Sequence, residues 1–230
     1  MLSRRLQKIA SFLESKDKVV DIGCDHGYLG IYAIQNNLVR SIILADIKDS
    51  ALSMARKNVA NSNLDIPLIL SDGLENIDKN AINTIVISGM GTSTILHILN
   101  NKEKMENVDK LILQSNNNLD ILRMEVTKLG FKLVDEITVL DNNIWYVICL
   151  FKKNNDNKLD NKTIKYGLIK KDKKDYYEYL ITNQIDILRK LAKSNNENLK
   201  LDIKKEIKTL KELLEECRTI GGNRSHFGFF

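Results

Sequence analysis

VVDIGCDHGYLGI, residues 19–31, is the stretch that decides the fold. Val19, Val20, Asp21 and Ile22 make a short apolar run closed around an acid, the form of a strand buried on both faces. Gly23 and Gly27 permit a sharp turn, and a helix follows from Tyr28. Strand, turn and helix together put Asp21 at the carboxyl end of a parallel strand, where open α/β sheets bind ligands. The turn is not GxGxxG, because Asp25 stands in the place of the middle glycine. A carboxylate there repels a pyrophosphate, and no cation lies nearby in sequence to offset it. A ligand carrying an ammonium and a sulfonium gains instead from Asp21 and Asp25. A generic βα turn with incidental acids is the alternative.

Outward from this turn, apolar runs recur: SIILAD at 41–46, IPLIL at 66–70, NTIVIS at 83–88, KLILQ at 110–114, FKLVDEITVL at 131–140 and IWYVICLF at 144–151. Helix-period stretches such as Asp49 to Asn61 and Leu119 to Leu129 separate the earlier runs. That alternation predicts right-handed crossovers and a parallel sheet covered on both faces. Only Asp141-Asn142-Asn143 separates the last two runs, so these form a hairpin and the sheet ends in an antiparallel strand. The expected class is α/β: a Rossmann-like class I methyltransferase with a mostly parallel seven-stranded sheet. A nicotinamide dehydrogenase, whose sixth strand also runs parallel, fits less well.

The polar stretch KKNNDNKLDNK at 152–162 reads as a linker, dividing a domain of residues 1–153 from one of residues 154–230. Beyond it, Tyr177, Ile181, Gln184, Leu188 and Leu191 repeat at helical spacing, as do Ile203, Ile207, Leu210, Leu214 and Cys217. Two such seams joined by the polar SNNENLK predict an antiparallel α-helical hairpin of coiled-coil type. The closing GGNRSHFGFF fits no pattern.

Charge divides the same way. Residues 1–151 carry a net −2 and residues 152–230 a net +7, within a chain of 230 residues and +5 overall. A basic appendage suits a polyanionic partner, although lysines also serve simply as a soluble surface. Apolar residues make up 43%, enough for a core, and no run approaches the roughly 20 residues of a membrane span. The start, MLSRRLQKIASFL, reads as an amphipathic helix rather than a signal peptide. Cys24, Cys149 and Cys217 are scattered, which argues against a disulfide framework or a structural metal. A cytoplasmic protein without membrane or metal is expected.

Three further strand ends carry candidate site residues. Asp46 closes the second strand, where a carboxylate commonly accepts from both hydroxyls of a ribose; capping the helix near Asp49 is the plainer role. Asp72, with Gly73 and Leu74, follows the third strand and suits an adenine ring and its exocyclic amine, or else a capped turn. After the fourth strand, Ser88-Gly89-Met90-Gly91 would bring a flat base to the reacting methyl, or open the helix at Thr92.

These segments, in this order, resemble the bacterial tRNA (adenine-22-N1)-methyltransferase family. The likeness is carried by RRLQKIASF, VVDIGCDHGYLGIY, LADI, SDGLE, ISGMG and LILQ, then the helical hairpin, from about residue 2 to about 217. DIGCDHGYL and GMG are its most specific parts. The chain departs at Thr92, where the family usually continues with glycine, and at Ser115, where proline usually follows the glutamine. The resemblance implies S-adenosylmethionine as cofactor and adenine 22 of the tRNA D-arm as target. The cofactor contacts it implies are Asp21, Gly23, Asp25, Gly27, Tyr28, Asp46, Ile47, Asp72, Gly73 and the loop Gly89-Met90-Gly91. Ile22, Leu29, Leu74 and Ser88 flank them, and His26 either orients the cofactor carboxylate or serves only through its backbone.

Adenine N1 is nucleophilic while neutral, so the reaction needs alignment and dryness more than a general base. No His-Asp or Cys-His pair is evident. The candidates on the catalytic side are Asp25, facing the cationic product ring, Met90 as a packing surface, and Arg5 as a phosphate contact beside Arg4. His97 and Trp145 read as structural, Cys24 as a small buried residue, and the basic hairpin as a grip on tRNA with the chain a monomer, a dimerisation arm being the competing reading. Rival readings are a methyltransferase for rRNA or another tRNA base, and an RNA-binding module with a vestigial pocket.

Overall fold

The structure is a computed structural model describing residues 2–154, 158–192 and 196–220. The closing GGNRSHFGFF lies outside the described residues, as do parts of the two polar connections. In chain order the first unit contains α1 (Arg4–Ala10), β1 (Lys18–Ile22), α2 (Tyr28–Gln35), β2 (Ser41–Asp46), α3 (Asp49–Asn61) and β3 (Leu68–Leu70). It continues with β4 (Thr84–Met90), α4 (Thr92–Leu99), β5 (Lys110–Ser115), α5 (Leu119–Lys128), β6 (Phe131–Asp141), β7 (Ile144–Lys153) and α6 (Asn161–Tyr166). Every apolar run read as a strand is one.

The strands order as β3-β2-β1-β4-β5-β7-β6. All neighbouring pairs up to β5 are parallel, and β7 runs antiparallel to both β5 and β6. The hairpin strand therefore does not simply extend the sheet: β7 slots between β5 and β6 and leaves β6 at the edge. Asp141 pairs with Ile144 as part of the strands, so the turn is two residues rather than three. Asn142 and Asn143 both take left-handed φ values, 49° and 62°, as a type I′ hairpin requires. Strand order reverses between β1 and β4, with β2 on β1's other side. Asp21 pairs in register with Leu44 of β2 and Val86 of β4, which sets it at that switch point.

The amphipathic helices bury one face. In α3 these are Leu52, Ala55 and Val59, spaced by three and four residues. The central strands are covered on both sides, with Ile85, Val86, Ile87, Leu111 and Leu113 fully buried. Trp145, expected in the core, is only half-buried on β7.

A buried ion pair closes the first unit. Arg123 of α5 donates from Nε to Glu136 Oε1 at 2.7 Å and from Nη1 to the Ile164 carbonyl of α6 at 2.9 Å. Because α6 is held this way, the first compact unit runs to Gly167 and the second begins at Leu168, later than the composition change at 153/154. In the second unit α7 (Lys174–Lys190) packs against α8 (Glu197–Thr219). Arg218 lies 3.8 Å from Glu178, and Lys200 Nζ donates to the Ala192 carbonyl at 3.3 Å, so the two helices run antiparallel. Tyr177, Ile181, Ile203, Leu210, Leu214 and Cys217 are buried as the spacing predicts. Leu213 is buried as well, so the α8 face is wider than a strict heptad stripe. Among the described residues, no helix is long and apolar enough to cross a membrane.

Arg123→Met leaves Glu136 as a buried carboxylate without its cation. It should destabilise the first unit by about 3–5 kcal/mol. Thermal unfolding of Arg123→Met, Glu136→Leu and the double variant checks this, with the double variant more stable than Arg123→Met.

Candidate active site

The carboxyl ends of β1, β2 and β4 enclose a cleft of about 430 Å³. Its walls bring together the predicted Arg5, Asp21, Gly23, Asp25, His26, Tyr28, Leu29, Asp46, Ile47, Ser88, Gly89 and Met90. Leu6, Cys24, Lys48 and Ala51 line it too, and were not read from sequence as site residues. The volume lies in the range of small-molecule sites. Of the first turn, Ile22 and Gly27 stay beneath the surface. Gly27 starts α2 at φ 72°, and a Cβ there would press against Leu44 and Ala55, so its part is packing. Gly23 has φ 74°, and the Met90 methyl already occupies the place its Cβ would take. Glycine is required at both.

Asp21 is 4% exposed, and its carboxyl is pushed up to about 7. Burial is the main cause, the neighbouring Asp46 charge adds to it, and the Arg5 guanidinium opposes it only partly. An acid held this way costs stability and is characteristic of functional clefts. Asp46 accepts from the backbone N–H of Lys48 at 2.9 Å and of Asp25 at 3.3 Å. One carboxylate thus fixes both the approach to α3 and the first turn. Asp25 sits at a left-handed φ of 48° with its side chain in solvent, 3.6 Å from His26 Nε2. The His26 and Tyr28 rings stack at 5.5 Å, and Tyr28 remains half exposed as a flat surface beside the cleft. Burial, with Asp21 and Asp46 close by, pushes the Cys24 thiol up, so it is no nucleophile.

Opposite the acids, Arg5 is fixed rather than free at the mouth. Its Nη1 donates to Gln114 Oε1 at 3.0 Å, and its guanidinium lies 5.1 Å above the Tyr146 ring. Gln114 Oε1 also accepts from the Gly89 N–H at 3.0 Å, while Asn116 Nδ2 donates to the Gly89 carbonyl at 2.9 Å. Both polar groups of the Gly89 peptide are therefore held from the end of β5. Gln114 and Asn116 were missed as site residues; the signal was a polar residue closing the otherwise apolar LILQ strand.

Asp72, Gly73 and Leu74 do not join this cleft. With Glu75, His97, Ile98, Asn100 and Asn101 they line a separate one of about 240 Å³. Gly73, at φ 53°, packs on Ile98, and His97 is exposed rather than structural. Gly91 precedes α4 and faces the Asn117 amide.

Residues 2–149 match the methyltransferase domain family. The chain belongs to that family. The tRNA (adenine(22)-N(1))-methyltransferase of Bacillus subtilis is 35% identical over 150 residues, which are 64% of this chain and 63% of the relative. The chain is thus matched to less than two thirds of that relative's length. The structure of M. capricolum TrmK in complex with S-adenosyl-homocysteine superposes with a TM-score of 0.79 at 29% identity, covering 94% of this chain and 98% of that one. The B. subtilis m1A22 tRNA methyltransferase TrmK gives 0.74 at 27% identity, covering 94% and 98%.

Thr92 and Ser115, the two positions at which the sequence departs from the pattern it resembles, touch each other. Thr92 Oγ1 and Ser115 Oγ are 2.8 Å apart and buried, and Thr92 N–H donates to Asn117 Oδ1 at 2.9 Å. Hydroxyl bonds here join the loops after β4 and β5.

Replacing the buried acid should stabilise the free methyltransferase. The folded carboxyl lies near 7 against about 3.8 unfolded, so its ionisation penalty is absent below pH 4, grows between, and is complete above pH 7. Asp21→Asn should therefore unfold several degrees higher at pH 8, by up to roughly 4 kcal/mol, with the gain vanishing toward pH 4. Scanning calorimetry across that range checks the sign.

Proposed function

We propose that the chain is an S-adenosylmethionine-dependent methyltransferase that methylates N1 of adenine 22 in the D-arm of tRNA. The observation that carries it is the acidic cleft at the sheet's switch point, built on Asp21 and Asp46, in a chain of the methyltransferase domain family that is similar to a tRNA (adenine(22)-N(1))-methyltransferase. A cationic nucleoside with an amino-acid tail fits such a cleft: a positive ligand restores Asp21 to its ionised form. Asp46, with one oxygen turned to each backbone N–H, retains lone pairs for ribose hydroxyls. Gly23, Asp25, His26, Tyr28, Leu29, Ile47, Ser88 and Met90 complete the contacts. Asp72 and its loop lie apart from the cleft and are the least supported of the cofactor residues.

The cofactor supplies a methyl group on a positively charged sulfur. The protein's part is alignment: effective molarities in such two-substrate reactions correspond to roughly 7–11 kcal/mol. N1 attacks through its in-plane lone pair, the carbon–sulfur bond breaks, and the positive charge passes from sulfur to the ring. No proton has to leave first, consistent with a cleft whose only thiol is silent. Asp25 offers a carboxylate to the charged product ring, and Tyr28 and Met90 offer surfaces for a base taken out of its stack, a step costing a few kcal/mol. The fixed Arg5 balances the acids across the cleft.

Lys204, Lys208 and Lys211 stand exposed along α8. In this reading they meet tRNA phosphates, the chain acts as a monomer, and its place is the cytoplasm.

Purified protein, S-adenosylmethionine and unmodified tRNA should yield 1-methyladenosine at position 22, detected by nucleoside mass spectrometry. Asp21→Ala should lower cofactor affinity about a hundredfold or more and abolish the product. Wild-type protein that binds no S-adenosylmethionine contradicts the proposal. Reversing Lys204, Lys208 and Lys211 to Glu should raise the apparent KM for tRNA about tenfold and reduce the salt slope by nearly one per lost contact. Unchanged tRNA kinetics at moderate salt would remove the hairpin from the substrate interface.

A further inference from the structure

The end of β5 carries a polar group whose rigidity the fold does not need. Asn116 is exposed, yet its amide is held at both ends: Gln114 Nε2 donates to Asn116 Oδ1 at 3.0 Å, and Asn116 Nδ2 donates to the Gly89 carbonyl at 2.9 Å. The orientation admits no flip. Arg5 and the Gly89 N–H can only donate, so Gln114 must turn its oxygen to them and its nitrogen to Asn116. Asn116 must then turn its oxygen to Gln114 and its nitrogen to the carbonyl. Gln114, 1% exposed, thus acts as a buried brace behind an exposed amide.

Fixing an exposed side chain in one rotamer loses conformational freedom without burying apolar surface, so the fold gains little from it. A ligand gains much, because a locked recognition group has no further freedom to lose. After its two internal bonds, Asn116 keeps one N–H on Nδ2 and one lone pair on Oδ1. Both belong to a residue bonded to Gly89, which lines the cleft where the methyl acceptor must enter.

We propose that Asn116 is a specificity-determining residue that reads the N6/N7 edge of the target adenine. This rests on the function proposed above and names how its substrate base is chosen. The amide carbonyl accepts from the exocyclic N6 amine, and the amide N–H donates to N7, the pairing by which asparagine distinguishes adenine in other settings. Reading that edge leaves the N1 lone pair unobstructed for the methyl group. Guanine presents O6 where adenine presents its amine, so two acceptors would meet; its N1 also carries a hydrogen in place of a lone pair. The proposal accounts for the loop chemistry: Gln114 and the Gly89 peptide hold the reader, and Thr92 and Ser115 tie its loop to α4.

The test uses full-length protein and tRNA assembled with 7-deazaadenosine at the target position, which removes N7 and keeps N1 and N6. Wild-type kcat/KM should fall about tenfold on the 7-deaza tRNA. Asn116→Ala should lose about ten- to a hundredfold on ordinary tRNA and suffer no further loss from the 7-deaza substitution. Asn116→Asp, which keeps an acceptor and loses the donor, should likewise be indifferent to N7. Affinity for S-adenosylhomocysteine should stay within about twofold of wild type in both variants. An equal 7-deaza penalty in wild type and Asn116→Ala overturns the assignment, as does unchanged kcat/KM in Asn116→Ala. A parallel loss of S-adenosylhomocysteine affinity makes the residue structural and also overturns it. Wild-type protein that methylates no tRNA overturns the proposed function, and this inference with it.

Discussion

A carboxylate buried at the carboxyl end of the central strand is the constraint from which the rest of the first unit follows. Asp21 has β2 on one side, β4 on the other and the acid of β2 close by, so the free protein holds it near the point of protonation. Nothing in the core requires an acid there. The neighbouring architecture is consistent with a ligand that does: Gly23 and Asp25 turn the chain in left-handed conformations, Asp46 pins that turn, and Gln114 sets a cation against the acids. Local cost concentrated at one place, within a sheet that otherwise packs conventionally, is the pattern expected of a functional site.

Two sides of the cleft are built by different means. The acidic side is mostly backbone geometry, with glycine and left-handed φ values bringing main chain to the surface. The opposite side sets one cation, Arg5, on a lattice of uncharged side chains, Gln114, Ser115, Asn116, Asn117 and Thr92, that fixes the loop after β4. An arrangement with negative charge on the side of a cationic ligand and mostly neutral polar groups on the side of a neutral base matches the chemistry proposed. The electrostatic demands of the two substrates differ, and the walls differ with them.

Much of this was legible in the sequence. Seven apolar runs became seven strands: the five parallel ones are the more continuous, because burial on both faces leaves apolar stretches, and the hairpin pair was marked by its short Asn turn. Asp21, Asp46 and the loop from Ser88 were legible because strand ends in this topology converge on one crevice. What was not legible depends on tertiary contact. No spacing reveals that Gln114 reaches Arg5 over 109 positions, or that β7 inserts between β5 and β6. Asp72 looked equivalent to Asp46 as an acid after a strand, but Gly73 packs on Ile98 and carries that loop to another cleft. The end of the first unit was misplaced by composition for the same reason: the polar run at 152–162 leads into a helix that Arg123 draws back.

The central claim is that Asp21 must ionise to receive a positively charged cofactor, and proton release measures this most directly. Titration of S-adenosylmethionine into the protein at pH 6.5, by calorimetry in buffers of different ionisation enthalpy, counts protons expelled on binding. With the free carboxyl near 7, the wild type should release most of one proton per cofactor bound, and Asp21→Asn should release none. Binding heats that do not depend on the buffer, or the same release from Asp21→Asn, would contradict the account.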